Sequence, residues 1–544
     1  MTATTTTPQP TNHEARRRAP GAAPATAARR VHRAPRPPRR GTPPSSGTAT
    51  SARRRWLALA VLMLPVLLVS IDNTVLSFAL PQISEALTPT STQLLWIVDV
   101  YPLVLAALLV PMGSLADRVG RRRLLLVGAV GFAAMSVVAA QAPTAAALIA
   151  ARVGLGVFGS MLMPSTLSLL RNIFTDRGER RLAVAVWASG FAAGAALGPI
   201  VGGLLLEHLW WGSVFWIAVP VLVLLLLLAP AFVPESRDPD PGPVDVPSIL
   251  LSVATMAPVV WGIKVLGKDG PSALALVAML VGLGAGALFV RRQLRRPRPM
   301  LDVRLFTDAA FTGSVLINLL SVLSYVGFLY FASQDLQLVI GLGPSVAGLA
   351  LLPGLVVMIA AGLLVVRVVR SIRPSHVVAG ALTLSAAAYA IMAVFGGHGT
   401  LWPVVVSFVV LSVGIGAAET LSNDLVVSSA PPHQAGAASA ISETAYEIGA
   451  VLGTAVLGSI LAASYAANLV VPRGVGHAAA QTATETLGGA TAVAQSLPAA
   501  QASALLDSAH AAFGTGVAVT AGIGVVTMIG AAVLALVALR RAEA

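Results

Sequence analysis

The chain contains no cysteine. That excludes a disulfide framework, a thiol nucleophile and a thiolate metal site. Charge is scarce too. Asp, Glu, Lys and Arg make up 11% of the 544 residues against 56% hydrophobic, and the mean hydropathy of +0.81 excludes an ordinary soluble globule. No Gly-x-x-x-x-Gly-Lys-Ser/Thr loop occurs, so ATP is not expected to supply energy. A membrane enzyme would need a nucleophile with its base, or a metal constellation, and the sequence offers neither. A receptor would need a soluble output domain, yet the polar connections are short. The eight histidines fall mostly in the N-terminal tail and in connections, beside none of the candidate acids; no metal or other cofactor is expected.

What the chain has is apolar length. A spanning helix needs about 20 mostly apolar residues. Fourteen such runs are centred near residues 68, 104, 132, 157, 194, 222, 256, 281, 321, 355, 385, 411, 449 and 527. The expected fold class is an all-α polytopic membrane protein. Residues 1–52 lack an apolar core and are rich in Pro, Thr, Ala and Arg. They read as a disordered basic tail without a secretory signal, either an arm on anionic headgroups or the product of a start codon assigned too far upstream.

The net charge of +13 would suggest nucleic acid in a soluble protein, but its distribution argues for topology. Arg171, Arg177, Arg180 and Arg181 follow the fourth run; Arg291, Arg292, Arg295, Arg296, Arg298 and Arg304 follow the eighth; Arg367, Arg370 and Arg373 follow the tenth. The odd-numbered connections are nearly bare, with Lys268 and Arg473 the main exceptions. The positive-inside rule then puts both termini in the cytoplasm, with the chain crossing the membrane an even number of times. No nucleic-acid partner is expected.

Gly113 to Arg123 is a tight polar turn between the second and third runs, reading Gly-Ser-Leu-Ala-Asp-Arg-Val-Gly-Arg-Arg-Arg. Its pattern, Gly-x-x-x-Asp-Arg-x-Gly-Arg-Arg, resembles the hallmark loop of the major facilitator superfamily of secondary transporters. Gly113, Asp117, Arg118, Gly120, Arg121 and Arg122 are its candidate gating residues, since in that family the loop clamps one conformation through charge contacts. Shifting the chain by 249 residues lays Gly362, Arg367 and Arg370 on Gly113, Arg118 and Arg121, while Val366 and Val369 meet Asp117 and Gly120. The second turn thus reads as a decayed copy. It implies six-helix bundles over 53–240 and 293–544, an inserted helix pair over 241–292, and a substrate site between the halves near the midplane.

The fifth run carries Gly190, Gly194, Gly198, Pro199, Gly202 and Gly203. Small residues four apart let another backbone approach closely, which any close-packed membrane helix can use. Here the added Gly-Pro and Gly-Gly make the run resemble the fifth-helix motif of exporters within the superfamily.

Several charges lie inside apolar runs, each costing at least a few kcal/mol unless it faces a partner or water. Asp72, Asp99 and Arg152, in the first, second and fourth runs, fall roughly 10 to 15 Å below one surface at a rise of 1.5 Å per residue. Asp72 and Arg152 fit either a working pair or a structural tie between helices one and four. Glu443 and Glu447 are four apart and share a helical face. Two carboxylates so placed in a dry site repel, which suits a proton-coupled carrier. Glu419 and Asp424 are further candidates, Asp424 near enough to a helix end to be merely hydrated. Trp96, Tyr101, Trp187, Phe191, Tyr325, Phe328, Tyr330 and Tyr446 could hold a bulky cation by cation–π attraction, or else pack in the core or against lipid.

The stretches Ile71 to Pro81, Trp96 to Gly128, Arg152 to Phe174, Trp187 to Gly203, Pro234 to Pro243 and Ser422 to Gly453 together resemble the fourteen-helix drug:proton antiporter family of that superfamily. The connection over about 464–513 is similar to the long extracellular loop of that group. The resemblance implies that the acids matching Asp72, Asp99, Glu443 and Glu447 serve cation recognition or proton coupling. Glu447 departs from the pattern, standing where the family's quaternary-ammonium exporter has aspartate. The expected function is proton-coupled export of lipophilic cationic drugs, dyes and quaternary ammonium compounds by a monomer among membrane lipids. The rival is a dedicated exporter of one endogenous product, such as an antibiotic or lipid.

Overall fold

A computed structural model describes residues 52–237, 245–297, 299, 301–397, 399–429 and 435–543. The tail over 1–52 therefore lies outside the described residues, Ala52 apart, and so does the side chain of Phe191. Helices account for nearly everything described. In chain order the long ones are α1 (Ala52–Leu87), α2 (Ser91–Val119), α3 (Arg121–Ala140), α4 (Ala145–Ile173), α5 (Arg177–His208), α6 (Ala218–Phe232) and α7 (Val246–Asp269). They continue with α8 (Ala273–Arg295), α9 (Ala309–Gln334), α10 (Pro344–Val368), α11 (Pro374–Phe395), α12 (Leu401–Ser429), α13 (Ala435–Leu452) and α14 (Ala499–Glu543).

Among the described residues, thirteen helical segments are long and apolar enough to cross a membrane. The 32-residue α5 occupies the place of the fifth expected crossing. The ends follow local chemistry. Thr90 and Gln93 form a reciprocal cap on α2, the Thr90 hydroxyl accepting from the Gln93 amide at 3.2 Å and the Gln93 side chain accepting from the Thr90 amide at 3.0 Å. Thr144 caps α4 in the same sense, and α10 and α11 begin on Pro344 and Pro374.

Pairing repeats along the chain. Helix α2 packs on α4, α3 on α4 and α6, and α1 on α5 and α6; eight helices later α10 packs on α12, α11 on α12 and α14, and α9 on α13 and α14. The two sets meet where α5 touches α10 and α2 touches α13. Helices α7 and α8 pack mainly on each other, with leucines such as Leu250, Leu274, Leu280 and Leu283 exposed. One face of α7 is not exposed. Val260, Met256, Ala257 and Ile263 join Leu103 and Trp96 of α2 and Val451 and Ala455 in a small apolar cluster, so α7 sits on the seam between the sets.

Two helices widen to π turns, Asp335–Val339 after α9 and Gly453–Gly458 after α13, the second leading into the helix Ser459–Asn468. Beyond it the short helices His477–Glu485 and Leu487–Ala494 fold over the ends of α1 and α2. There the Ser84 and Thr486 hydroxyls pair at 2.9 Å, and Glu485 accepts from the Ser91 amide at 2.8 Å and its hydroxyl at 3.0 Å. Helix α14 begins at Ala499, inside the connection expected over 464–513. At 1.5 Å per residue its 45 residues span about 68 Å, beyond any bilayer, so this alanine-rich start projects past the apolar layer.

Candidate functional site

Close approach of two helices builds the first part of the site. On α5, Gly190 faces Met63 and Val66, Gly194 faces Leu67 and Ser70, Gly198 faces Thr74, and Gly202 faces Val75. A methyl on Gly194 would lie 2.6 Å from Ser70 Cβ and 2.9 Å from the Leu67 carbonyl oxygen, so the α1 backbone is accommodated only by glycine. The same helix turns its other side to α10, where Pro199 meets Gly348 and Gly203 meets Pro344 and Ser345. Helix α1 is thereby held with Asp72 buried and turned toward α4.

Asp72 and Arg152, both buried, face each other with Oδ2 to Nη1 at 3.6 Å, an ion pair longer than a hydrogen bond. The guanidinium also lies over two rings, 5.1 Å from the centre of Tyr101 and 5.9 Å from that of Phe215. Tyr101 is fully buried and within electrostatic reach of Asp72, Glu447 and Arg152. One layer of charge thus runs from α1 and α4 through α2 toward α13.

Asp99 is the next member and is fully buried. The sequence offered it no partner. The structure supplies one in Lys264 of α7, whose Nζ lies 2.9 Å from Asp99 Oδ2 and 3.9 Å from the centre of the Trp96 ring. Lys264 is buried as completely as Asp99. The chain's two lysines, Lys264 and Lys268, both belong to α7. A lysine five residues from the end of an apolar helix reads as one that reaches back to the interface; only the packing of α7 onto α2 shows that Lys264 turns inward.

The opposite set contributes acids close enough to feel one another: Glu419 with Glu443, Glu443 with Glu447, and Tyr446 with all three. Glu447 is buried, Glu443 and Glu419 half-buried, and Asp424 exposed, as a hydrated position near a helix end would be. The candidate aromatics divide. Tyr101 and Trp96 face cations and Tyr446 sits among the acids, whereas Phe328 packs on Phe331, Tyr389 and Phe408 as core. Trp187 donates from its ring nitrogen to Thr166 Oγ1 at 3.2 Å. Tyr325 lies 6.0 Å from the Phe408 ring and within reach of Glu419, and Tyr330 within reach of Asp99. Asp335, a buried acid that sequence reasoning passed over, sits in the π turn after α9.

At the arginine-rich end, Asp117 and Arg121 form an i,i+4 pair at 2.7 Å across the turn. Gly120 has φ +117°, and a Cβ there would strike Glu235 at 2.9 Å. Glu235 was not foreseen. Its two oxygens accept from the amides of Arg122 at 3.0 Å and Arg123 at 3.1 Å, capping α3 where the helix dipole favours an anion. Arg122 in turn donates to the Val233 carbonyl at 3.0 Å. Gly113 packs against Pro164 of α4 and Gly362 against Thr420 of α12, equivalent places in the two sets.

Comparison with known proteins agrees with this architecture. The chain is 56% identical to the multidrug efflux pump LfrA of Mycolicibacterium smegmatis over 92% of its own length and 99% of that protein's. It is 36% identical to the methyl viologen resistance protein SmvA of Salmonella typhimurium, over 85% of this chain and 93% of that one. A bacterial homologue of the human lysosomal transporter Spinster, solved inward-facing and unoccupied, superposes with a TM-score of 0.65 at 18% identity, covering 90% of this chain and 98% of the other. The family description "Major Facilitator Superfamily" matches residues 62–454. With its repeated helix pairings and charged layer at the seam, the chain belongs to the major facilitator superfamily, as a homologue of multidrug efflux pumps.

Proposed function

We propose that the protein exports lipophilic cations, including drugs, dyes and quaternary ammonium compounds, from a bacterial cytoplasm in exchange for protons, with both termini and the arginine-rich end cytoplasmic. The observation that carries this reading is the layer of buried charge, Asp72 with Arg152 and Asp99 with Lys264, facing Glu443 and Glu447 across the seam. Likeness to proteins named for multidrug efflux and for methyl viologen resistance supports the cationic substrate class, methyl viologen being a dication.

Asp72 is the coupling acid in this mechanism. Its protonation removes the charge that holds Arg152, and the released guanidinium remains over Tyr101 and within reach of Asp99. Exchange of partners converts a proton into a rearrangement of α1 against α4, as a two-state carrier requires. Asp99 and Glu443 meet substrate charge, Glu443 beside Tyr446 and Glu447. Gly190, Gly194, Gly198 and Gly202 keep α1 and α5 close while they move as one body, and Asp117 with Arg121 secures the turn between α2 and α3.

The test is efflux of an ethidium-like dye from cells expressing the protein. A protonophore should abolish efflux at undiminished ATP; efflux that survives loss of the proton gradient and stops on ATP depletion refutes the proposal. Adding chemically diverse cations and candidate native products to the same assay separates a broad pump from a dedicated exporter.

A further inference from the structure

Helix α7 belongs to neither repeated set, and most of its described residues are only half-buried. It nevertheless delivers one fully buried charge, Lys264, to the seam. The corner that receives it consists of a carboxylate, Asp99, and an aromatic face, Trp96, with the ammonium 2.9 Å from the first and 3.9 Å from the centre of the second. Carboxylate and ring together are the chemistry that recognises an organic cation. Here the chain fills that corner with a cation of its own.

We propose that Lys264 is a tethered counter-cation: its ammonium holds the place on Asp99 and Trp96 that the charged head of a lipophilic cation takes, and substrate enters by displacing it. The assignment rests on the reading of the protein as a cation exporter. Removing Lys264 without replacement would strand a buried carboxylate, which is strongly unfavourable, so the empty carrier keeps the corner neutral. Substrate exchanges one positive charge for another, and the balance then turns on hydration. A lysine ammonium is compact and strongly hydrated on a flexible stem, whereas a bulky organic cation is weakly hydrated and covers more of the ring. The exchange therefore favours large lipophilic cations and rejects small hydrated ones, with Lys264 setting the threshold.

Equilibrium binding of tetraphenylphosphonium to purified protein in lipid nanodiscs tests this. Lys264→Met should bind at least about tenfold tighter than wild type because the competitor is gone, and the gain should vanish when Asp99→Asn is added. Lys264→Arg preserves the charge and grips carboxylate and ring more firmly, so it should bind about tenfold more weakly. A structural brace predicts the reverse, lost binding in Lys264→Met and none lost in Lys264→Arg, and that result overturns the proposal. If Lys264→Met does not insert, Lys264→Arg decides alone, since unchanged affinity there is equally fatal. Wild type that binds tetraphenylphosphonium while Lys264→Met binds no tighter refutes only the counter-cation. Wild type and Lys264→Met that both ignore every lipophilic cation offered refute the export reading and this inference together.

Discussion

Replacing Gly194 by alanine adds one methyl between α1 and α5, at a point where the two helices leave no room for it. The new carbon would lie 2.6 Å from Ser70 Cβ and 2.9 Å from the Leu67 carbonyl oxygen, both on α1. Non-bonded carbons rest about 3.5 to 4.0 Å apart, so the helices must part by roughly 1 Å. Overpacking of this kind costs about 1 to 3 kcal/mol, and the better helix propensity of alanine returns at most about 1 kcal/mol of it. Ser70 is two residues from Asp72, so the displacement reaches the pair with Arg152 and lengthens a contact already at 3.6 Å. We expect Gly194→Ala to lower the unfolding midpoint in detergent and to cut dye export at least tenfold. Gly284→Ala on α8 is the control, because a Cβ there meets nothing within 4 Å, and it should be neutral or slightly stabilising. Wild-type stability and export in Gly194→Ala, or equal damage from Gly284→Ala, would show that the close approach of α1 and α5 does not govern the site.

Asp117→Asn should leave the protein inserted but slow dye export at least tenfold, by weakening the pair with Arg121; near-normal turnover reduces that turn to a topology signal. Asp72→Asn strands Arg152 among buried rings and should cost about 3 to 5 kcal/mol as well as abolish export of every substrate, whereas adding Arg152→Met should restore the melting temperature but not export; restored export would make the pair a brace. Gly120→Ala should destabilise more than Glu235→Gln, which leaves one carboxamide acceptor for the α3 amides and should cost about 1 kcal/mol by thermal unfolding; the opposite order would refute the capping role. At the start of α7, burial raises the pKa of Asp245, but hydrogen bonds from Arg292 and Ser248 and the charges of Arg292 and Arg296 outweigh it and hold the group at about 2 instead of 3.8. Because the folded value is depressed, its stabilisation is complete above about pH 4 and is lost toward pH 2, so hydrogen exchange near Asp245 should accelerate in that window in wild type but not in Asp245→Asn.

Long apolar runs were enough to place the fourteen long helices among the described residues, thirteen of which are long and apolar enough to cross a membrane, because bilayer thickness and the cost of charge leave few alternatives. Glu443 and Glu447, four apart, declared their shared face by periodicity alone. Lys264 did not, for two reasons. One lysine barely alters the hydropathy of α7, and its partner depends on which helices pack together, which periodicity does not encode. Glu235 escaped for a related reason: it caps α3 from more than a hundred residues away, whereas the capping signals a sequence displays are local ones such as Thr90 with Gln93. The start of α14 reads as part of a connection because alanine-rich, polar-flecked sequence has low hydropathy yet high helix propensity, and hydropathy detects only the length that lies in lipid.

The π turn Gly453–Gly458 bears on how this chain tolerates change in length. An added or lost residue within a regular α-helix rotates everything beyond it by about 100°, which would swing Tyr465 away from the Ala483 carbonyl it reaches at 2.9 Å. A wide turn is where a helix stores one surplus residue without twisting its flanks. Between Glu447 and Tyr465 the chain therefore has a position at which a single-residue deletion can be absorbed by tightening the turn, leaving the acids on one side and the connection on the other in phase. Alignments of relatives should carry their gap there, and chimaeras joined at Gly453–Gly458 should tolerate a one-residue mismatch that would ruin a junction a few turns earlier.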